Sequence, residues 1–381
     1  MATYEFARWD GTQDASGKSQ TDKVFEQLTE YLLHHGEMVL RELDRLDDDT
    51  APDILEKLQK EGLIEKDGEG KWQVAPRGVR RIQEGALTEL FQTLRRDTLG
   101  KHDTGQRGGG SVVLEETRPY VYGDPLAHLN LHETLRNAIA RRGGGTPIRP
   151  EMDDFVVHET EFQSSCATVV LIDMSGSMSR YGKYGMTKKV GLALQALVRA
   201  QFPQDVLRFV GFGTFAAAMT EKELIDSAPH RVTLFDPKVL IRYSLDHLPA
   251  RPHRHFTNIH GGLKLARNLL RRTGAINQQI IVITDGEPTA HLEGREVVCI
   301  YPPAERTARH TLEEARRCAS AGIRISSFAL IEDYYYLGLV NFVDEMARVS
   351  QGVAAYCSAD DLGNLVLDSF VGGRKIRRTR H

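Results

Sequence analysis

No stretch of about 18 or more apolar residues occurs in the 381-residue chain, so nothing in the sequence reads as a membrane-spanning helix. The first 19 residues are polar and lack the apolar core of an export signal, which leads to the expectation of a cytoplasmic protein. Cysteine is scarce: Cys166, Cys299, Cys318 and Cys357 are far apart and form no C-x-x-C pair. In a reducing compartment they are expected as small core residues. There is no G-x-x-x-x-G-K-[ST] phosphate loop, which excludes P-loop ATP hydrolysis. There is no G-x-S-x-G elbow either, and no sequence context presents a base to a nucleophilic serine. The formal net charge is only −3, so the chain as a whole has no pull toward nucleic acid or membrane.

What the chain does have is a buried-strand pattern running into an Asp-x-Ser-x-Ser loop, Val169-Val170-Leu171-Ile172-Asp173-Met174-Ser175-Gly176-Ser177. In an extended loop, side chains two apart project the same way, so Asp173, Ser175 and Ser177 can converge on one point. A carboxylate and two hydroxyls suit a hard cation such as Mg²⁺, which wants six oxygens at about 2.0–2.1 Å and usually keeps several waters. The bland alternative is an Asx or Ser turn at a strand end. Two further segments bear on it. Phe256-Thr257-Asn258-Ile259 places a hydroxyl at the start of an amphipathic helix, and Ile280-Ile281-Val282-Ile283-Thr284-Asp285 is a second buried strand ending in a carboxylate. Thr257 and Asp285 could also serve as helix N-caps.

These three segments, in this order, resemble the metal-ion-dependent adhesion site of the von Willebrand factor A (VWA) family. The resemblance covers roughly residues 166–370, and all five motif positions are filled. It implies that Ser175, Ser177 and Thr257 face the ion through hydroxyls, with Asp173 and Asp285 completing the shell, often through water. The expected ion is Mg²⁺, with Mn²⁺ accepted by the same oxygen donors.

The expected fold class is α/β: a Rossmann-like, doubly wound, mostly parallel sheet preceded by a small winged-helix-like α+β domain. Buried strands are expected at 168–173, 206–212, 279–284, 324–330 and 353–356, with a short antiparallel piece near 214–219. Helices are expected near 187–201, 260–272, 307–321, 338–349 and 360–370. Continuous apolar strands alternating with amphipathic helices imply a sheet covered on both faces. Ligands of such sheets sit beyond strand carboxyl ends at a topological switch point, where Asp173 and Asp285 would lie.

The remaining boundaries follow from composition. Residues 1–20 are expected to be disordered. Residues 21–97 read as helices and a hairpin turning at Asp67-Gly68, in a winged-helix-like order. Residues 98–165 read as a Gly-rich linker with a short folded insert, 166–370 as the VWA domain, and 371–381 as a basic tail. The winged-helix resemblance raises DNA binding, but residues 21–97 carry 18 acidic against 12 basic side chains. A DNA reader needs cations for the phosphates, so docking or scaffolding, rather than nucleic-acid binding, is the expected role. His253, His255 and His260 form no clean zinc spacing and are expected as loop histidines.

Function follows from an incompletely filled oxygen shell, which an Asp or Glu of a partner protein can complete. The expected role is that of a Mg²⁺-dependent interaction module without catalysis of its own. The chain order resembles bacterial cytoplasmic proteins that accompany AAA+ ATPases of the MoxR and magnesium-chelatase types. That resemblance implies an adaptor in protein remodelling or metal insertion, an analogy at the level of the fold. A DNA-binding regulator and a metal-dependent phosphohydrolase are the alternatives; the latter needs a general base that the sequence does not identify. Extracellular adhesion is disfavoured by the missing export signal.

Overall fold

A computed structural model of the chain describes residues 19–44, 52–94, 107–121, 129–143, 147–161, 165–332 and 337–372. The stretch up to residue 18 and the basic run at 374–380 lie outside the described residues. The chain divides into two compact units, one combining residues up to 99 with those from 166 on, the other spanning 100–165.

The first unit begins with helix α1 (Gln20–His35). Ser19 caps it, its Oγ accepting the Asp22 N–H at 3.1 Å while the Asp22 carboxylate accepts the Ser19 N–H at 2.9 Å. The helix stops at Gly36, where φ is +60°. A side chain there would also stand 2.4 Å from the Asp226 carbonyl oxygen, so both backbone conformation and space demand glycine. Helices α2 (Glu37–Leu43) and α3 (Pro52–Lys60) lead to an antiparallel hairpin of β1 (Ile64–Lys66) and β2 (Trp72–Val74). Helix α4 (Pro76–Leu94) follows, with proline in its first turn, where a missing N–H costs nothing.

The stretch expected as a linker with a folded insert holds a two-stranded antiparallel ladder, β3 (Arg107–Pro119) with β4 (Val156–Glu161), and between them helix α5 (Leu131–Arg142). Asn130 caps α5 by accepting the Glu133 N–H at 3.0 Å. Arg141 fastens its far end to Asp154 at 2.7 Å and Glu151 at 2.8 Å.

From Cys166 on, the chain builds β5 (Cys166–Asp173), α6 (Lys183–Gln201), β6 (Val206–Phe212), β7 (Ala216–Met219), α7 (Glu221–Asp226) and β8 (Val239–Ser244). Then come α8 (Ile259–Leu270), β9 (Asn277–Thr284), β10 (Ala290–Glu293), β11 (Glu296–Tyr301), α9 (Glu305–Ser320), β12 (Ile323–Leu330), α10 (Leu337–Ser350), β13 (Val353–Cys357) and α11 (Leu362–Gly372). The main sheet runs β13-β12-β9-β5-β6-β7, parallel except for the edge strand β7. Each expected strand and helix of this region is present within a few residues. The sequence reading missed a second sheet, β10-β11-β8, with its own small core of Val239, Tyr243, Phe256, Ala290, Val297 and Cys299.

The main sheet is buried on both faces because its strands are apolar at successive positions. Val169 and Leu171 face α8, α9 and α10, whereas Val170 and Ile172 face α6 and α11. Helix α6 is itself buried almost all round, with Leu192, Ala193 and Leu194 inaccessible at consecutive positions. A helix apolar on every side needs cover on its outer face too. Phe25 and Leu32 of α1 and Leu90 of α4 belong to the same core cluster as Leu194 and Leu197. Residues 21–97 and 166–370, which the sequence suggests as separate domains, thus share one core. The four cysteines are buried free thiols.

Charged pins reinforce that shared core. Lys189 of α6 reaches Glu30 of α1 at 3.0 Å and Glu89 of α4 at 2.9 Å. Lys188 is fully buried and donates to the carbonyl oxygens of Leu32, Ile225 and Ser227 at 2.8–2.9 Å. Burial pushes its pKa down to about 7, while three carbonyl partners use all three N–H donors of the ammonium form. Lys188→Met takes the ammonium donor from three carbonyls, of which Leu32 O keeps the Gly36 N–H at 2.8 Å, and is expected to destabilise the protein by on the order of 3 kcal/mol. Urea unfolding that leaves the midpoint unchanged would show the contact to be dispensable.

Candidate functional site

Sheet order reverses between β5 and β9: from β5 the chain proceeds through β6 and β7 to one side, and from β9 through β12 and β13 to the other. The carboxyl ends of these neighbours, in parallel register with Ile172 opposite Ile283, form the switch-point crevice. Asp173 is the last residue of β5, and Asp285 directly follows β9. The fold itself therefore brings the two carboxylates together.

Asp173 is inaccessible. Its Oδ1 accepts the Ser175 N–H at 2.8 Å and its Oδ2 the Thr284 hydroxyl at 2.5 Å. Burial, then the nearby Asp285 charge, raise its pKa to about 7 against these bonds. The Ser175 and Ser177 hydroxyls lie 3.2 Å apart, and Ser177 Oγ donates to Asp285 Oδ1 at 2.7 Å. Ser175 is buried, whereas Ser177 is exposed, so the cluster opens to solvent on the Ser177 side. The loop is held from outside as well: Met174 N–H donates to Phe212 O at 2.7 Å, Gly176 N–H to His255 O at 3.3 Å, and the His230 N–H to Met174 O at 2.8 Å.

Thr257, buried, is fixed through its backbone: its carbonyl accepts the N–H groups of Thr289 and Ala290 at 3.0 Å, and its N–H donates to Thr289 Oγ1 at 2.8 Å. A methyl on Gly286 would lie 3.9 Å from Thr257 Oγ1, which places that hydroxyl beside the loop following Asp285. The N-cap of α8 is Asn258, whose Oδ1 accepts the Gly261 N–H, so Thr257 is not used as a cap. No helix begins at Asp285 among the described residues. All five sequence-chosen residues thus stand at the carboxyl ends of β5 and β9 and the start of α8. Their donors are all oxygen, which fits a hard divalent cation. Because the Ser177 hydroxyl donates its hydrogen bond to Asp285, its oxygen lone pairs face away from that bond and can serve such an ion.

Two participants were not identified from the sequence. Thr284 orients Asp173, and its position as a polar residue closing an apolar run was an available signal. Lys183 was the other: its Nζ pairs with Asp285 Oδ2 at 2.7 Å, and the two side chains are 8% and 1% exposed.

A second group of ligand-type side chains lies where β10 of the smaller sheet meets α9. His291, Glu293 and His310 offer ligand atoms within 4.8 Å of one another, so the group could hold a metal ion. Glu293 is already engaged by Arg306 at 2.5 Å and Arg242 at 3.1 Å. His291, 3.0 Å away, and then Arg306 and Arg242 hold its carboxyl down at about 2. The His291 and His310 rings stack at 4.5 Å with an 11° tilt, and parallel rings cannot both point their in-plane lone pairs at one ion. The histidines weighed from sequence do not assemble: His253 and His255 both approach Thr233, whereas His260 accepts the Leu292 N–H and stacks on His310.

The vWA family model that matches this chain agrees with this architecture. Residues 166–371 match the model for the vWA domain of Rv0959-like proteins, and residues 112–160 match the third domain of the same proteins. The uncharacterized proteins Rv0959 of Mycobacterium tuberculosis and Mb0984 of Mycobacterium bovis are each 30% identical to it over 387 residues, covering 97% of this chain and 53% of theirs. The chain spans about half the length of the curated relatives it matches. Among solved structures, it is similar to the vWF domain of the type V pili tip protein Mfa5 from Porphyromonas gingivalis, at 13% identity and a TM-score of 0.38, over 57% of this chain and 98% of that one. It is also similar to the PilB minor pilin from Streptococcus sanguinis, at 14% identity and a TM-score of 0.40, over 59% and 65% of the two chains. Among the described residues, no helix is long and apolar enough to cross a membrane.

The Lys183–Asp285 pair is expected to behave as a buried unit in metal-free buffer. Asp285→Ala strands a buried ammonium and should cost about 3–5 kcal/mol, while Lys183→Met/Asp285→Ala together should recover at least half of that. Additive losses in a double-mutant cycle would mean that the two side chains do not interact.

Proposed function

The chain belongs to the Rv0959-like vWA family, and from that premise we propose that it is a protein-interaction module whose contact with a partner depends on a divalent cation, Mg²⁺ or Mn²⁺. The observation that carries this reading is the hydrogen-bonded convergence of Asp173, Ser175, Ser177 and Asp285, open to solvent at Ser177. Ser175, Ser177 and Thr257 would hold the ion through hydroxyls, with Asp173 and Asp285 balancing its charge. When bound, the ion supplies a Lewis-acidic position that a carboxylate can fill.

The residues of this chain do the rest. Thr284 and the Ser175 amide hold Asp173 in place, and Asp285 accepts a hydrogen bond from the Ser177 hydroxyl. The β5 and β9 backbones fix these groups on a rigid sheet, so the approach of a partner's Asp or Glu is directional. The partner class we favour is an AAA+ ATPase of the MoxR or magnesium-chelatase type, with the module acting as an adaptor without catalysis of its own. That choice rests on the order of an acidic helical head, a Gly-containing middle unit and a vWA domain.

The test is an affinity capture from native cytoplasm in Mg²⁺ and in EDTA, using wild type and Asp173→Ala. An AAA+ ATPase retained only by wild type in Mg²⁺ is the expected result. Partners indifferent to both EDTA and Asp173→Ala would move the function to the helices of residues 21–97.

A further inference from the structure

Lys183 stands where a lysine is electrostatically disfavoured. It is the first residue of α6, whose first turn holds no acidic side chain, and the amino end of a helix carries a positive partial charge. The turn leading to it is strained: Tyr181 and Gly182 have φ of +56° and +67° in succession, and Tyr181 is not a glycine. This backbone delivers Lys183 Nζ to 2.7 Å from Asp285 Oδ2, with the Tyr181 ring centroid 5.7 Å away on another side. Asp285 Oδ1 is meanwhile bonded to Ser177. One carboxylate thus joins a motif hydroxyl to an ammonium group that the motif does not contain.

We propose that Lys183 is a built-in counter-charge that sets how tightly the site holds a divalent cation and how strongly the loaded site attracts an outside carboxylate. This inference rests on the metal-dependent reading above. With both aspartates ionised, the two carboxylates and the ammonium sum to −1, and a divalent ion brings the cluster to +1. Without the lysine the same loaded site would be neutral. In a buried setting, where charges are weakly screened, that difference lowers affinity for the ion and leaves a residual positive charge for a partner's Asp or Glu to neutralise. Lys183 is therefore a positioning and specificity-determining residue, acting on the ion through Asp285.

The test uses the metal alone. Mn²⁺ is titrated into the full chain and the free ion followed by electron paramagnetic resonance, for wild type, Lys183→Met, Lys183→Gln and Lys183→Arg, each checked for folding by circular dichroism. Lys183→Gln keeps an N–H donor for Asp285, which guards against the methionine variant failing to fold. The expected result is Mn²⁺ affinity raised about tenfold or more in the two neutral variants and close to wild type in Lys183→Arg, since one nearby unit charge is removed or kept. Adding Asp173→Ala to Lys183→Gln should abolish binding, tying the ion to this site. Wild-type binding with unchanged or weaker affinity in folded neutral variants would overturn the role of Lys183 alone. Absence of Mn²⁺ binding by wild type and neutral variants alike would overturn it together with the metal-dependent reading.

Discussion

Two buried carboxylates forced together at the switch point of the sheet are the constraint around which the rest of this structure is arranged. The parallel pairing of β5 with β9 leaves Asp173 and Asp285 no other place to go. Burial, and then the neighbouring Asp285 carboxylate, disfavour a charged Asp173, and the surroundings answer with hydroxyls from Thr284 and Ser177, the Ser175 amide and the Lys183 ammonium. Positive charge close by stabilises a cluster of this kind in its ionised form. Within the structure Lys183 supplies that charge, 2.7 Å from Asp285.

Helix α6 links this site to the amino-terminal helices. Lys183 turns into the crevice, Lys188 binds carbonyls at the end of α1 and around α7, and Lys189 spans acidic residues of α1 and α4. Each lysine is buried or nearly so, and each has a different partner set. The outer face of α6 is apolar enough to need α1 and α4 as cover. The helical head is thus part of the same packed body as the site.

Much of this was legible in the sequence because strand burial leaves a plain record. The runs ending in Asp173 and Asp285 are continuous and apolar, and the Asp-x-Ser-x-Ser spacing marks one half of the site. Less legible was whatever depended on partners far along the chain. Lys183 lies ten residues after Asp173 in a polar segment that reads as solvated, and α6 starts four residues before its apolar periodicity does. Only the left-handed turn at Tyr181 and Gly182 sends that lysine inward. The second sheet could have been found. Val239, Ile241 and Tyr243 alternate with exposed or polar residues, and Gly294, at φ +60°, marks the turn of the β10–β11 hairpin. The histidine group around His291 could not, since His260, His291 and His310 meet only after β10 packs against α8 and α9.

The most direct measurement is a crystal structure of the protein soaked in Mn²⁺, with the ion located by its anomalous scattering. The account calls for one strong peak among Ser175, Ser177 and Thr257, between Asp173 and Asp285. A peak at His291, Glu293 and His310 alone, or none at either place at millimolar Mn²⁺, would contradict it.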